Sequence, residues 1–175
     1  MTEEQRRRGP AATQVEATGQ HVRENLARLR KARGLTTYQL AKLMKDAGRP
    51  IPQSGISRIE SGARRVDVDD LTALAAVLRV SPSALLLPLD DSPERTVEIT
   101  GAGTVLADAA WDWADGRRPL PMSGRDEGEL WLEFELYGRP PGRRANKNDV
   151  AYLLRKLSDA GFPIAPPGEG GGGRG

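Results

Sequence analysis

Residues 36–65 read TTYQLAKLMKDAGRPIPQSGISRIESGARR, and their caps, breakers and apolar spacing predict a helix, a loop and a second helix. Thr36 can cap the first helix, and Gln39 is placed to reach back to the backbone in a capping box. Leu40, Leu43 and Met44 then fall on one helical face. Gly48, Pro50 and Pro52 break that helix, since proline has no N–H to donate and glycine favours turns. The second helix is expected to start near Pro52 or Gln53 and to cover about 53–61. Ile56 and Ile59 form its inward pair, which turns Gln53, Ser54, Gly55, Ser57 and Arg58 outward. Gly62 closes it as a left-handed cap. The outward strip is short and polar, and no acid interrupts it before Glu60.

The flanking sequence extends the helical pattern in both directions. A helix is expected from about Gly19 to Arg33, with Val22, Leu26 and Leu29 as its buried stripe. Arg23, Arg28, Arg30, Lys31 and Arg33 crowd its other sides and its last turn, where cations suit the helix dipole. Downstream, Asp67 caps a helix with Asp70 at its third position, and Leu71, Leu74, Ala75 and Leu78 face inward. Ser81-Pro82 opens a last short helix, with proline where its missing N–H costs nothing. Leu85, Leu86 and Leu87 drop from it into the core. Residues 19–89 therefore read as an all-α, five-helix bundle. Pro88 and the run Asp90-Asp91-Ser92-Pro93 lead out of it.

The run GLTTYQLA followed by IPQSGISRIESG resembles the phage-repressor helix-turn-helix family, also called Xre-like or Cro-like. The resemblance covers about Val22 to Leu87, and several spaced residues carry it together. It departs from the family at Lys45–Pro52, which is longer than the family's tight turn. The resemblance implies a lambda-repressor-like fold, a transcriptional regulator, and double-stranded DNA as partner. It also implies a homodimer on two half-sites about one helical turn apart. In the family, the connection corresponding to Ala63-Arg64-Arg65 runs beside the sugar–phosphate backbone.

On that reading the second helix enters the major groove, where side chains reach base edges. Gln53 can pair bidentately with adenine. Ser54 and Ser57 can bond to bases or phosphates, and Arg58 can take a guanine or a phosphate. Gly55 leaves room for close approach. Thr37 and Tyr38 begin the preceding helix, whose free N–H groups favour phosphate. Arg64 and Arg65 would complete the backbone clamp.

The second half mixes its signals. Thr96–Thr100 alternates and reads as a strand, with Val97 and Ile99 on one face. Gly101-Ala102-Gly103 reads as a turn, since a lone GxG makes no nucleotide site. Thr104 to Ala114 reads as a helix. On it, Asp108, Asp112 and Asp115 share a face that reads as a solvated surface, not a cation site. Trp111 and Trp113 read as packing residues. Glu129–Tyr137 alternates most regularly of all and reads as a strand. Asn148 or Asp149 caps an expected last helix that ends at Gly161. Residues 94–162 are thus expected to form a small α+β region, between a disordered arm (1–18) and a disordered glycine-rich tail (163–175).

Composition narrows the function classes. The chain has 175 residues, no cysteine and one histidine, which removes disulfides, thiolate sites and Cys nucleophiles. No phosphate loop, His-based metal spacing or catalytic constellation is present, so neither catalytic residue, metal nor cofactor is expected. No apolar run reaches the ~18 residues of a membrane span. The N-terminus lacks the apolar core of a secretory signal, and a cytoplasmic address is expected. Arginine in excess of lysine, with much Ala, Gly and Pro, fits a GC-rich bacterial genome. The net charge of +2 is unevenly spread. Residues 20–89 hold twelve Lys or Arg against six Asp or Glu, whereas residues 90–162 hold ten against fourteen. Phosphate backbones favour that basic excess through counterion release. A second reading makes the protein a partner-binding regulator or antitoxin, whose C-terminal region holds another protein. A third gives that region a small ligand to sense.

Overall fold

The computed structural model describes residues 15–140 and 158. Helices α1 (Ala17–Ala32), α2 (Thr37–Asp46), α3 (Gln53–Glu60), α4 (Val68–Val77) and α5 (Ser83–Leu86) come first. They are followed by strands β1 (Thr96–Ile99) and β2 (Gly103–Leu106), then helices α6 (Ala107–Ala114) and α7 (Glu127–Tyr137). This is the expected helical domain followed by a small mixed region. The expected arm and glycine tail lie outside the described residues, save that α1 already starts at Ala17. The expected last helix lies outside them too, except for Ser158, which is helical.

Each helix of the first domain starts and stops for a local reason. Thr36 Oγ1 accepts from the Gln39 N–H at 3.1 Å, and Gln39 Oε1 accepts from the Thr36 N–H at 2.8 Å, closing the capping box. Asp67 caps α4 by accepting from the Asp70 N–H at 2.7 Å. Gly62 follows α3 at φ +78°, where a β-carbon would be strained. The apolar stripes meet in one core built on Leu26, Leu40, Met44, Ile56, Ile59, Leu74, Leu78 and Leu85. Ile51, in the long connection before α3, joins that core and pins the loop. Leu43, expected on the inner face of α2, is 39% exposed.

One polar residue sits inside this apolar frame. Asn25 of α1 is buried, and its amide donates to the carbonyls of Leu85 at 3.1 Å and Leu87 at 2.7 Å. Its own oxygen accepts from Arg28 Nε and Nη2. All of its hydrogen-bonding capacity is thus used to tie α1 to the end of α5.

The end of α4 carries the one non-glycine residue with positive φ among those described, Arg79 at +51°. Its β-carbon is crowded there by roughly 1–2 kcal/mol, which glycine would relieve at the cost of a freer unfolded chain. Arg79→Gly should therefore raise stability by about 0.5–1 kcal/mol, read as a higher urea midpoint at constant slope.

The mixed region departs from the sequence reading in two places. Thr104–Leu106 was expected to begin a helix but forms β2, and the helix starts at Ala107. β2 pairs antiparallel with β1, with Val97 opposite Val105 and Ile99 opposite Gly103. Pairing across the turn buries Val97, Ile99 and Val105 on one face, which a helix from 104 would not do. Glu129–Tyr137 was expected to be a strand and is helix α7 instead. Asp126 caps it by accepting from the Glu129 N–H at 2.9 Å. Leucine and glutamate are good helix formers, and no partner strand competes for the segment among the described residues.

Two compact units divide at Asp115/Gly116. Within the first, the hairpin and α6 are fastened to the helical domain. Thr18 and Thr100 exchange reciprocal N–H to Oγ1 hydrogen bonds of 3.2 and 3.0 Å, joining β1's end to α1. The Trp111 indole N–H donates to the Pro88 carbonyl at 2.9 Å, whereas Trp113, expected to pack beside it, is 40% exposed.

Candidate nucleic-acid interface

Helix α3 presents Gln53, Ser54, Ser57 and Arg58 to solvent and buries Ile56 and Ile59. Glu60, the only acid on α3, turns away from that strip. It receives Arg30 Nε at 2.6 Å and Nη2 at 2.8 Å in a bidentate pair. Both side chains are largely buried, at 12% and 15% exposed. The hydrogen bond to Glu60 raises the Arg30 pKa above its ordinary value, against the effect of burial. The pair fixes α3 on α1 and leaves the outer strip of α3 without a carboxylate.

Gly55 corrects the expectation that it faces out: it is buried. A β-carbon there would stand 2.9 Å from Ile51 Cγ2, 3.0 Å from Arg64 Nη1 and 3.3 Å from Pro52 Cδ. Its missing side chain makes room for this protein's own arginine, not for a ligand.

Helices α2 and α3 are joined at their N-terminal ends. Gln53 Nε2 donates to Thr37 Oγ1 at 3.3 Å, so one expected base reader rests on one expected phosphate contact. Such a contact limits the rotamers of Gln53 and leaves its amide oxygen outside the bond. Tyr38, next along, is 67% exposed. Beyond α3, the chain turns back sharply: the Arg58 carbonyl accepts from the N–H groups of Ala63 at 2.8 Å and Arg64 at 3.1 Å. Arg58 Nη2 reaches the Ala63 carbonyl at 3.5 Å, and Arg65 is exposed.

Arg64 is only half-buried, and its Nη2 donates to Asp70 Oδ2 at 2.5 Å. Asp70 is almost wholly buried, and its other oxygen accepts from Arg49 Nε at 2.8 Å. Arg49 also contacts Asp67 and Asp69. Its hydrogen bond to Asp70 raises the Arg49 pKa. The Asp67 carboxyl is held below the usual carboxylate range, first by the Asp70 N–H and then by Arg49. Sequence reading assigned Asp70 only a place in the first turn of α4 and gave Arg49 no role. The one local hint was a run of acids, Asp67, Asp69 and Asp70, just after the two arginines expected to meet phosphate.

Among the described residues no group of three or more His, Cys, Asp or Glu could hold a metal ion. Nor is any helix among them long and apolar enough to cross a membrane. Residues 26–85 match a family model described as helix-turn-helix. We found no match to the chain among curated proteins or among solved structures.

Proposed function

We infer from residues 26–85, a helix-turn-helix domain of the Cro type, that this protein is a sequence-specific DNA-binding transcriptional regulator. Helix α3 enters the major groove. Gln53, Ser54, Ser57 and Arg58 read bases, and Thr37, Tyr38, Arg64 and Arg65 hold the phosphates on either side. One such domain covers few base pairs, so the protein acts as a homodimer on a two-fold operator in the cytoplasm. It needs no cofactor and catalyses no reaction. The observation that carries this reading is the exposed strip of α3, polar, basic at Arg58 and cleared of its only acid by Arg30.

Selection of duplexes from a random pool by the purified full-length chain, followed by a salt series, tests it. A consensus with a two-fold axis is expected, with affinity falling linearly as salt rises on logarithmic axes. Gln53→Ala should then cost about 1–3 kcal/mol on the selected site and relax one base position in each half-site. Binding indifferent to sequence would refute the regulator.

A second reading, that the C-terminal region holds a protein partner, is favoured by α7. None of its residues is buried, and Leu132, Leu136 and Tyr137 are exposed. Exposed apolar residues grouped on one element mark interaction surfaces. On this reading Leu132→Glu leaves operator affinity unchanged but abolishes regulation in cells.

A further inference from the structure

Arg64 stands at the flank of the strip assigned to the groove. Its Nη1 lies 3.0 Å from the point where a Gly55 β-carbon would be, with Ile51 and Pro52 closing the same seat. Any larger residue at 55 would claim the space that the guanidinium fills. Glycine is a poor helix former, so local propensity does not account for it inside α3. From beneath, Asp70 Oδ2 accepts from Arg64 Nη2 at 2.5 Å. The Asp70 side chain is 2% exposed, while that of Arg64 keeps 34% of its surface in solvent. A buried carboxylate is costly unless partners hold it, and here Arg49 takes the other oxygen at 2.8 Å. The carboxylate therefore bridges the loop before α3 and the loop after it.

A structural ion pair would need no more than this. The Arg64 side chain, however, makes a single hydrogen bond among the described residues, so its Nε and Nη1 remain available beside α3. A long side chain ordinarily loses rotamer freedom when it binds, which weakens the contact. A guanidinium already fixed by a seat on one side and a carboxylate on the other avoids much of that loss.

We propose that Asp70 is a positioning residue for DNA binding: it locks Arg64 in the Gly55 seat, so that the guanidinium meets a backbone phosphate already ordered. The proposal rests on the DNA-binding reading above.

The test measures affinity of the full-length chain for its selected duplex over a range of salt, with D70N, R64A and the D70N/R64A double variant. Each is assayed below its own unfolding temperature. R64A should weaken binding about five- to tenfold near 0.1 M salt and flatten the salt slope by about 0.9, as loss of one phosphate contact does. D70N should produce the same two changes, and the double variant should be no weaker than R64A alone. If D70N does not fold, G55A takes its place. It retains Asp70 and Arg64 but fills the seat, and it should flatten the slope equally and add nothing to R64A. Effects of D70N and R64A that multiply in the double variant, or a folded D70N with unchanged affinity and slope, would overturn the proposal and leave the regulator intact. A wild-type chain that selects no duplex at low salt would overturn both.

Discussion

Glu60→Leu is expected to destabilise the helical domain by about 3–5 kcal/mol, because it leaves the Arg30 guanidinium mostly buried without its counter-charge. The guanidinium then keeps only one hydrogen bond among the described residues, from Nη1 to the Leu35 carbonyl at 2.8 Å. The loss is a large share of the about 5–15 kcal/mol that usually separates a folded domain from its unfolded chain. A lower urea midpoint with an unchanged slope would show it. The double variant Arg30→Met, Glu60→Leu should recover most of the loss, since an apolar pair of similar size avoids desolvating either charge. If the double variant is no more stable than Glu60→Leu, the pair holds α1 to α3 by shape more than by charge. Affinity for DNA should recover with stability, because neither side chain belongs to the exposed strip.

Asn25→Leu should cost about 2–4 kcal/mol, although it replaces a polar residue by an apolar one in an apolar core. The carbonyls of Leu85 and Leu87 would lose their shared donor, and Arg28 would lose its acceptor. Removing one partner is worse than removing both, because the groups left behind pay the full penalty of desolvation. Asn25→Asp should be equally harmful, since a carboxylate facing two carbonyls repels them. Thermal melts of the variants check this, and a loss below about 1 kcal/mol would mean that water enters and replaces the amide.

Features encoded within one turn of helix were legible in the sequence. The Thr36–Gln39 box, the Asp67 cap, the Gly62 turn and the Ile56/Ile59 face all depend on neighbours a few residues away. The exposed strip on α3 was legible for the same reason, Gly55 excepted. Its burial depends on Arg64, which arrives from a later loop, so nothing inside α3 announces it. Asp70 looked like a first-turn acid, because its partners come from two separate loops. Strand β2 needed β1 to exist, whereas Thr104–Leu106 alone fits a helix well enough. Helix α7 was hidden by its own alternation of apolar and acidic residues, a period that belongs to strands. The signal that could have exposed it is Asp126 three residues before Glu129, the acidic form of a helix start.

The amide of Asn25 also sets a timetable for synthesis. Its acceptors lie 60 and 62 residues further along the chain. While the ribosome is still short of Leu87, α1 has made its polar group but not the carbonyls that satisfy it. The seam between α1 and α5 therefore lacks these two hydrogen bonds until Leu85 and Leu87 have been added. A chain ended just before Leu87 would leave that amide with the Leu85 carbonyl alone.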